Sequence, residues 1–242
     1  MVAHESAAGL DTPQFVVPPE NRIPVNGYPG KMAEIPPSRM FLIRDALKVF
    51  KQNNGANAVT FDGSQGDGGA SLPGVPHHLL ESALQLQLEH GSAYDQPFGT
   101  AQFRQAAAGP YWQLDAASGW GPDNIVFVQG GRDGLQKAYG AMVALGTQEV
   151  GSVMVISRVP WITYNWGPYA AGLNVMLAPG DPNEGWRYTP EGIKACAEFA
   201  AREGRKIAGI VITSPDNPTG RTIPLSEQIE LARTALDAGY PF

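Results

Sequence analysis

Apolar positions along this chain change period from block to block, and each change marks an element. Residues 1 to about 37 show no sustained period. Pro13, Pro18, Pro19, Pro24, Pro29, Pro36 and Pro37 punctuate them, so they read as an arm. Met40, Ile43, Leu47 and Phe50 then recur at helical spacing and predict a helix from Ser38 to Lys51, closed by Asn53-Asn54-Gly55. A short strand at Val59 to Phe61 enters a glycine-rich loop at 63–74. The helix after it, Pro76 to His90, carries Leu80, Leu84 and Leu88 on one stripe and stops at Gly91. Another helix begins near Thr100.

From there the alternation is regular. A strand at Ile125 to Val128 feeds a helix from about Gly131 to Leu145. Val153 to Ile156 feeds the segment from Pro160 to Ala171, and Asn174 to Leu177 follows as a strand. Thr189-Pro190 is a cap followed by a first-turn proline, with Gly204 past the helix end. Ile207 to Thr213 is almost continuously apolar, as expected of a strand covered on both faces. Ser226 is expected to cap a last helix ending at Gly239, and Tyr240-Pro241-Phe242 reads as the start of a further strand.

Strands alternating with helices predict an α/β fold, a mainly parallel sheet with helices on both faces, preceded by an N-terminal arm and helix. Ligands in such sheets sit beyond the carboxyl ends of the strands, so the loops there are where chemistry is sought. Composition narrows the classes. The formal charge of −6 comes without a run of like charges, which argues against a nucleic-acid footprint. A single cysteine, Cys196, excludes a disulfide framework and a cysteine-based zinc site. No signal-peptide pattern and no long apolar run is visible, so a cytoplasmic protein without a membrane span is expected.

Several motifs fail on inspection. Gly69-Ala70-Ser71-Leu72-Pro73 lacks the last glycine of a nucleophile elbow. The segment from Gly27 to Met32 lacks P-loop spacing, and Gly66-Asp67-Gly68-Gly69 imitates a dinucleotide loop in composition only. His77 and His78 are adjacent and do not share a helix face, so no metal site is expected. Two motifs hold. Gln129-Gly130-Gly131-Arg132-Asp133 runs from an expected strand end into a helix start, where exposed N–H groups and the helix dipole suit a phosphate. A plain tight turn explains the same residues. Ser214-Pro215-Asp216-Asn217-Pro218-Thr219-Gly220 follows the most apolar strand and places an asparagine amide between two prolines. A proline-rich turn explains that segment equally well.

Together these two segments resemble the class I/II aminotransferases, fold-type I enzymes that use pyridoxal 5′-phosphate (PLP). Asn217-Pro218-Thr219-Gly220 is among that family's most specific marks. The resemblance implies that Asn217 contacts the phenolic oxygen of the pyridine ring, and that Gly130, Gly131 and Arg132 form the phosphate turn. Pro160-Trp161-Ile162-Thr163-Tyr164 resembles the ring-stacking segment, with Trp161 as the stacking aromatic and Tyr164 near the ring nitrogen. Tyr94 matches the tyrosine that reaches the phosphate of a neighbouring subunit, and Gly66 matches a glycine lining the substrate side.

By this resemblance residues 1–58 are the arm and first helix of a small domain. Residues 59–242 are the first part of the PLP-binding large domain, incomplete at the C-terminus. The family's Schiff-base lysine, ring-nitrogen aspartate and carboxylate-binding arginine come later in its pattern, and Lys194 and Lys206 do not match the lysine motif. The expected activity is amino-group transfer between an amino acid and a 2-oxo acid, with no catalytic residue in this chain. A homodimer is expected, and either a longer chain or a second polypeptide carrying the C-terminal half. Another fold-type I activity such as a β-lyase, and a non-catalytic PLP-binding or scaffolding subunit, are the alternatives.

Overall fold

The computed structural model describes residues 12–27, 39–57, 74–92, 94–145 and 149–240, with the backbone alone at 39–41. The expected strand at 59–61 and the loop containing Gly66 lie outside these residues. The chain divides into two compact units, one of residues 1–36 with 129–242 and the other of residues 37–128.

The first unit is built on four strands: β1 (Gln14–Phe15), β2 (Val153–Ile156), β3 (Asn174–Leu177) and β4 (Ile207–Ile210). Their order is β1-β3-β2-β4; β2 runs parallel to both β3 and β4, and β1 pairs antiparallel with β3. The period of two divides the β2 side chains between the sheet faces. Val153 and Val155 join Ile193, Cys196 and Ala200 of α6 (Pro190–Arg202) and Leu231 and Ala235 of α7 (Leu225–Asp237). Met154 joins Tyr139 of α4 (Gly131–Ala144) on the other face, together with Leu173 and Ala208. Both faces are therefore covered, which is why β2 and β4 read as unbroken apolar runs. The crossover from β2 to β3 is α5 (Ile162–Ala170).

The described part of the arm belongs to this unit and is tied to it by polar contacts at the amino ends of the strands. The Asn174 side chain is fully buried. Its amide donates to the Ile23 and Gly151 carbonyls and its oxygen accepts from the Ile23 N–H, all at 2.9 Å. Arg205 donates to the same two carbonyls at 2.6 and 2.7 Å. Gly151 is required here: at φ 89° a Cβ would lie 2.3 Å from the Pro24 carbonyl oxygen, so any side chain would push the arm away.

The second unit holds α1 (Arg39–Asn54), α2 (His77–His90) and α3 (Ala101–Ala106). Thr100 caps α3 by accepting from the Phe103 N–H at 3.2 Å, and Arg104 ties it to Asp123 at 3.0 Å. The expected strand at Ile125 to Val128 does not form: these residues are non-helical and outside any ladder. The Phe127 N–H does reach the Phe98 carbonyl at 2.9 Å, but Val126 and Phe127 stay exposed. A strand needs a neighbouring backbone along its length, and apolar composition cannot supply one. The Ser226 cap is also corrected. Helix α7 starts two residues earlier than that cap implies, with Pro224 at the cap position and no side-chain cap, so Ser226 lies inside the first turn.

Candidate functional site

Three loops of the first unit carry the residues singled out above. The first leads into α4. Gly130 takes φ 85°, which only glycine adopts without strain, and α4 starts with no side-chain cap. A Cβ built on Gly130 or Gly131 meets no protein atom within 4 Å, so both glycines face open space. Asp133 turns back to accept from the Gln129 N–H at 2.8 Å and pairs with Lys137. The Lys137 hydrogen bond, helped by that backbone donor, holds the Asp133 carboxyl below the usual aspartate value.

The second loop follows β2 and leads into α5 through Trp161, the half-buried residue at its cap position. The Tyr164 ring stands edge-on to the Trp161 ring, with centroids 5.3 Å apart and planes at 83°. The Arg132 guanidinium lies 5.3 Å from the centroid of the same indole. A cation at that distance is drawn to the electron-rich face, so the Arg132 side chain is oriented toward the aromatic pair.

The third loop leaves β4. Thr213 donates from its hydroxyl to the Tyr164 hydroxyl at 3.0 Å, joining the second loop to the third. Asn217 lies at the exposed tip, and its side-chain amide makes no hydrogen bond to the described residues. The peptide bonds Ser214–Pro215 and Asn217–Pro218 are both cis. Arg132, Trp161, Tyr164 and Thr213 thus form one continuous line of contacts across three loops.

These loops lie within a stretch that matches a known family. The sequence profile of aminotransferase class I and II matches residues 62–241. The chain belongs to this family. The aspartate/prephenate aminotransferase of Thermus thermophilus is 27% identical over 166 residues, covering 69% of this chain and 40% of that protein. The probable aspartate/prephenate aminotransferase of Thermus aquaticus is 25% identical over 167 residues, with the same coverage. The fold is that of an aspartate aminotransferase from Thermus thermophilus solved with maleate, at TM-score 0.63 and 20% identity over 85% of this chain and 49% of that one. An aminotransferase from Mycobacterium tuberculosis superposes at TM-score 0.65 and 21% identity over 87% of this chain and 50% of that one. The chain therefore spans about half the length of the relatives it matches.

Class I/II aminotransferases use PLP, and the residues present fit that group. An uncapped helix start behind two glycines offers N–H donors into open space, as a phosphate needs. A half-buried indole stands within reach of a cation, and an unengaged amide stands on a hydrogen-bonded loop. Among the described residues no cluster of three or more metal-ligating side chains occurs, and no helix is long and apolar enough to cross a membrane.

Tyr94 belongs to the second unit, where its side chain is fully exposed, and Gly66 lies outside the described residues. Sequence reasoning missed Thr213. Its signal was its place at the carboxyl end of an apolar run, just before the loop motif. It also missed Asp133, whose acidic position in the first turn of α4 was legible as a partner for free N–H groups.

Proposed function

We propose that this chain is the N-terminal part of a PLP-dependent aminotransferase acting between an amino acid and a 2-oxo acid. The observation carrying the reading is the contact line Arg132–Trp161–Tyr164–Thr213, which draws together the three loops bearing the family's marks. When bound, PLP supplies an electron sink for the carbon that loses its proton during amino transfer.

The roles of this chain's residues follow from their chemistry. The N–H groups of Gly131 and Arg132, behind the turn at Gly130, hold the phosphate dianion, where the helix dipole and the Arg132 cation both favour it. The Trp161 face packs on the pyridine ring and excludes water from one side. Tyr164, oriented by the Thr213 hydroxyl, stands near the ring nitrogen. The Asn217 amide donates to the phenolic oxygen and favours its deprotonated form. Tyr94 reaches the phosphate of a neighbouring subunit in a homodimer, and Gly66 lines the substrate side.

The division at residues 58 and 59, the cytoplasmic setting and a role in amino-acid metabolism belong to the same proposal. So does the need for a completing C-terminal part, since no lysine here matches the family's Schiff-base position. The isolated 242-residue chain mixed with PLP should transfer no amino group. Turnover from the pure chain would overturn that part.

Asn217→Ala in the PLP-loaded protein is the direct test. The visible absorbance titration of the bound cofactor should move to higher pH, because a donor that favoured the deprotonated oxygen is gone. An unchanged titration would remove the Asn217 assignment. Gly131→Val tests the phosphate turn. The added side chain projects into open space, so the fold should persist while PLP affinity falls. Unchanged affinity in the folded variant would place the phosphate elsewhere.

A further inference from the structure

The loop carrying Asn217 is held from behind by charged groups that the cofactor reading does not use. At its base Ser214 Oγ accepts from the Ile223 N–H at 2.9 Å, and the Gln228 amide donates to the Ile223 carbonyl at 2.7 Å. Nearer the tip, the Asp216 N–H donates to the Arg221 carbonyl at 2.7 Å and the Gly220 N–H to the Asp216 carbonyl at 2.8 Å. The Thr219 hydroxyl donates to the Asp216 carboxylate at 2.6 Å. Asn217 sits within this ring of bonds.

Buried Ile223 and Leu231 lie beneath the loop, while its tip is exposed. Residues 217–220 are exposed, and behind them lies a small cavity of about 20 Å³ whose lining includes Arg187, Tyr188, Arg221, Ile223, Glu227 and Leu231. The link across this space is ionic. Glu227, in the first turn of α7, meets Arg221 at 3.3 Å and Arg187 at 3.8 Å, and Arg221 also donates to the Glu184 carbonyl at 3.4 Å. The Arg221 and Glu227 side chains are about two-thirds shielded from water, so their attraction is screened less than that of an exposed pair. One carboxylate therefore serves two guanidinium groups. Neutralising it leaves two cations facing a shared space, and their repulsion drives the Arg221 limb away from α7.

We infer that Glu227 is a positioning residue, which fixes the direction of the Asn217 amide by anchoring Arg221 to α7. The inference rests on the reading of Asn217 as donor to the ring oxygen. Direction matters because a hydrogen bond weakens steeply once its angle falls away from linear.

The test has two arms. In the chain without cofactor, Glu227→Gln should speed amide hydrogen exchange at Asp216 and Gly220 by roughly tenfold. Exchange at Val155 in the sheet should stay unchanged, and Glu227→Asp should restore most of the protection. Arg221→Gln breaks the same link from the loop side and should give the same pattern, which guards against a fault peculiar to α7. In the PLP-loaded protein, Glu227→Gln should move the absorbance titration in the direction of Asn217→Ala, and adding it to Asn217→Ala should move it no further. Unchanged exchange at Asp216 and Gly220 overturns the anchoring role. Faster exchange with an unmoved titration, where Asn217→Ala does move it, overturns positioning and leaves the Asn217 reading standing. A titration that Asn217→Ala itself fails to move overturns that reading.

Discussion

The two units use equally regular apolar patterns to different ends. In the first, Val153, Met154, Val155 and Ile156 of β2 are buried to the last, and α6 and α7 bring Ile193, Cys196 and Leu231 against them. In the second, Leu80, Leu84 and Leu88 of α2 recur at the same kind of helical spacing, yet all three are more than half exposed. Phe50, Phe103, Trp112 and Trp120 are exposed there as well, and among the described residues of that unit only the small Ala108 is a buried hydrophobic. Periodicity says which side chains share a face. It does not say that a second surface meets that face. Where one does, burial stabilises; where none does, caps and ion pairs such as Thr100 and Arg104–Asp123 hold the local shape.

Paired truncations probe that contrast most strongly. Ile156→Ala, at a fully buried site, should cost about 2–5 kcal/mol in chemical denaturation. Leu84→Ala, at a site 60% exposed, should stay within about 0.5 kcal/mol. Equal costs would break the comparison. Asn174→Ala comes next. It removes the acceptor of the Ile23 N–H and one of two donors to each of the Ile23 and Gly151 carbonyls, which keep Arg205, so a loss of about 1–3 kcal/mol is expected. Faster proteolysis within residues 12–27 should accompany it.

Alkaline pH should weaken the first unit selectively. Burial pushes Tyr139 and Tyr169 from 10.0 up to about 12, pushes Cys196 from 9.0 to about 12, and raises Tyr188 well above the usual tyrosine value. These groups keep their protons in the fold while the unfolded chain gives them up. Stability is therefore level below pH 9 and falls as pH rises through the window up to about 12. Hydrogen exchange against pH reads this directly, and flat protection in β2 across that window would contradict it.

The capping pair gives a smaller effect. Thr189 accepts from the Gly192 N–H at 3.0 Å, so Thr189→Ala should cost about 1 kcal/mol. Ser226 caps nothing, and Ser226→Ala should change stability by less than about 0.5 kcal/mol. Smallest is Tyr139→Phe. The Tyr139 hydroxyl is buried without a hydrogen-bond partner, so its removal should be neutral or stabilise by less than about 1 kcal/mol in thermal melts.

By itself the sequence determined several elements whose signal is local or repeats along one covered strand. The runs 153–156 and 174–177 form the expected strands, and β4 begins at Ile207 but leaves the ladder after Ile210, as the chain turns toward the loop. Thr189-Pro190 starts α6, with Gly204 just beyond its end, because a cap and a first-turn proline act within one turn. The glycine turn at Gly130 and the proline-rich loop after Ser214 also form where the sequence marks them, because each is a short backbone form with its own residue requirements. What tertiary structure decided is everything that needs a partner distant in the chain. Ile125 to Val128 form no ladder with the described residues, although their composition suits a strand. The arm joined the sheet through the β1–β3 pairing and through Asn174 and Arg205, polar residues whose service to residue 23 no spacing announces. Thr213 meets Tyr164, and Glu227 meets Arg187, only because parallel crossovers bring separate segments to one end of the sheet.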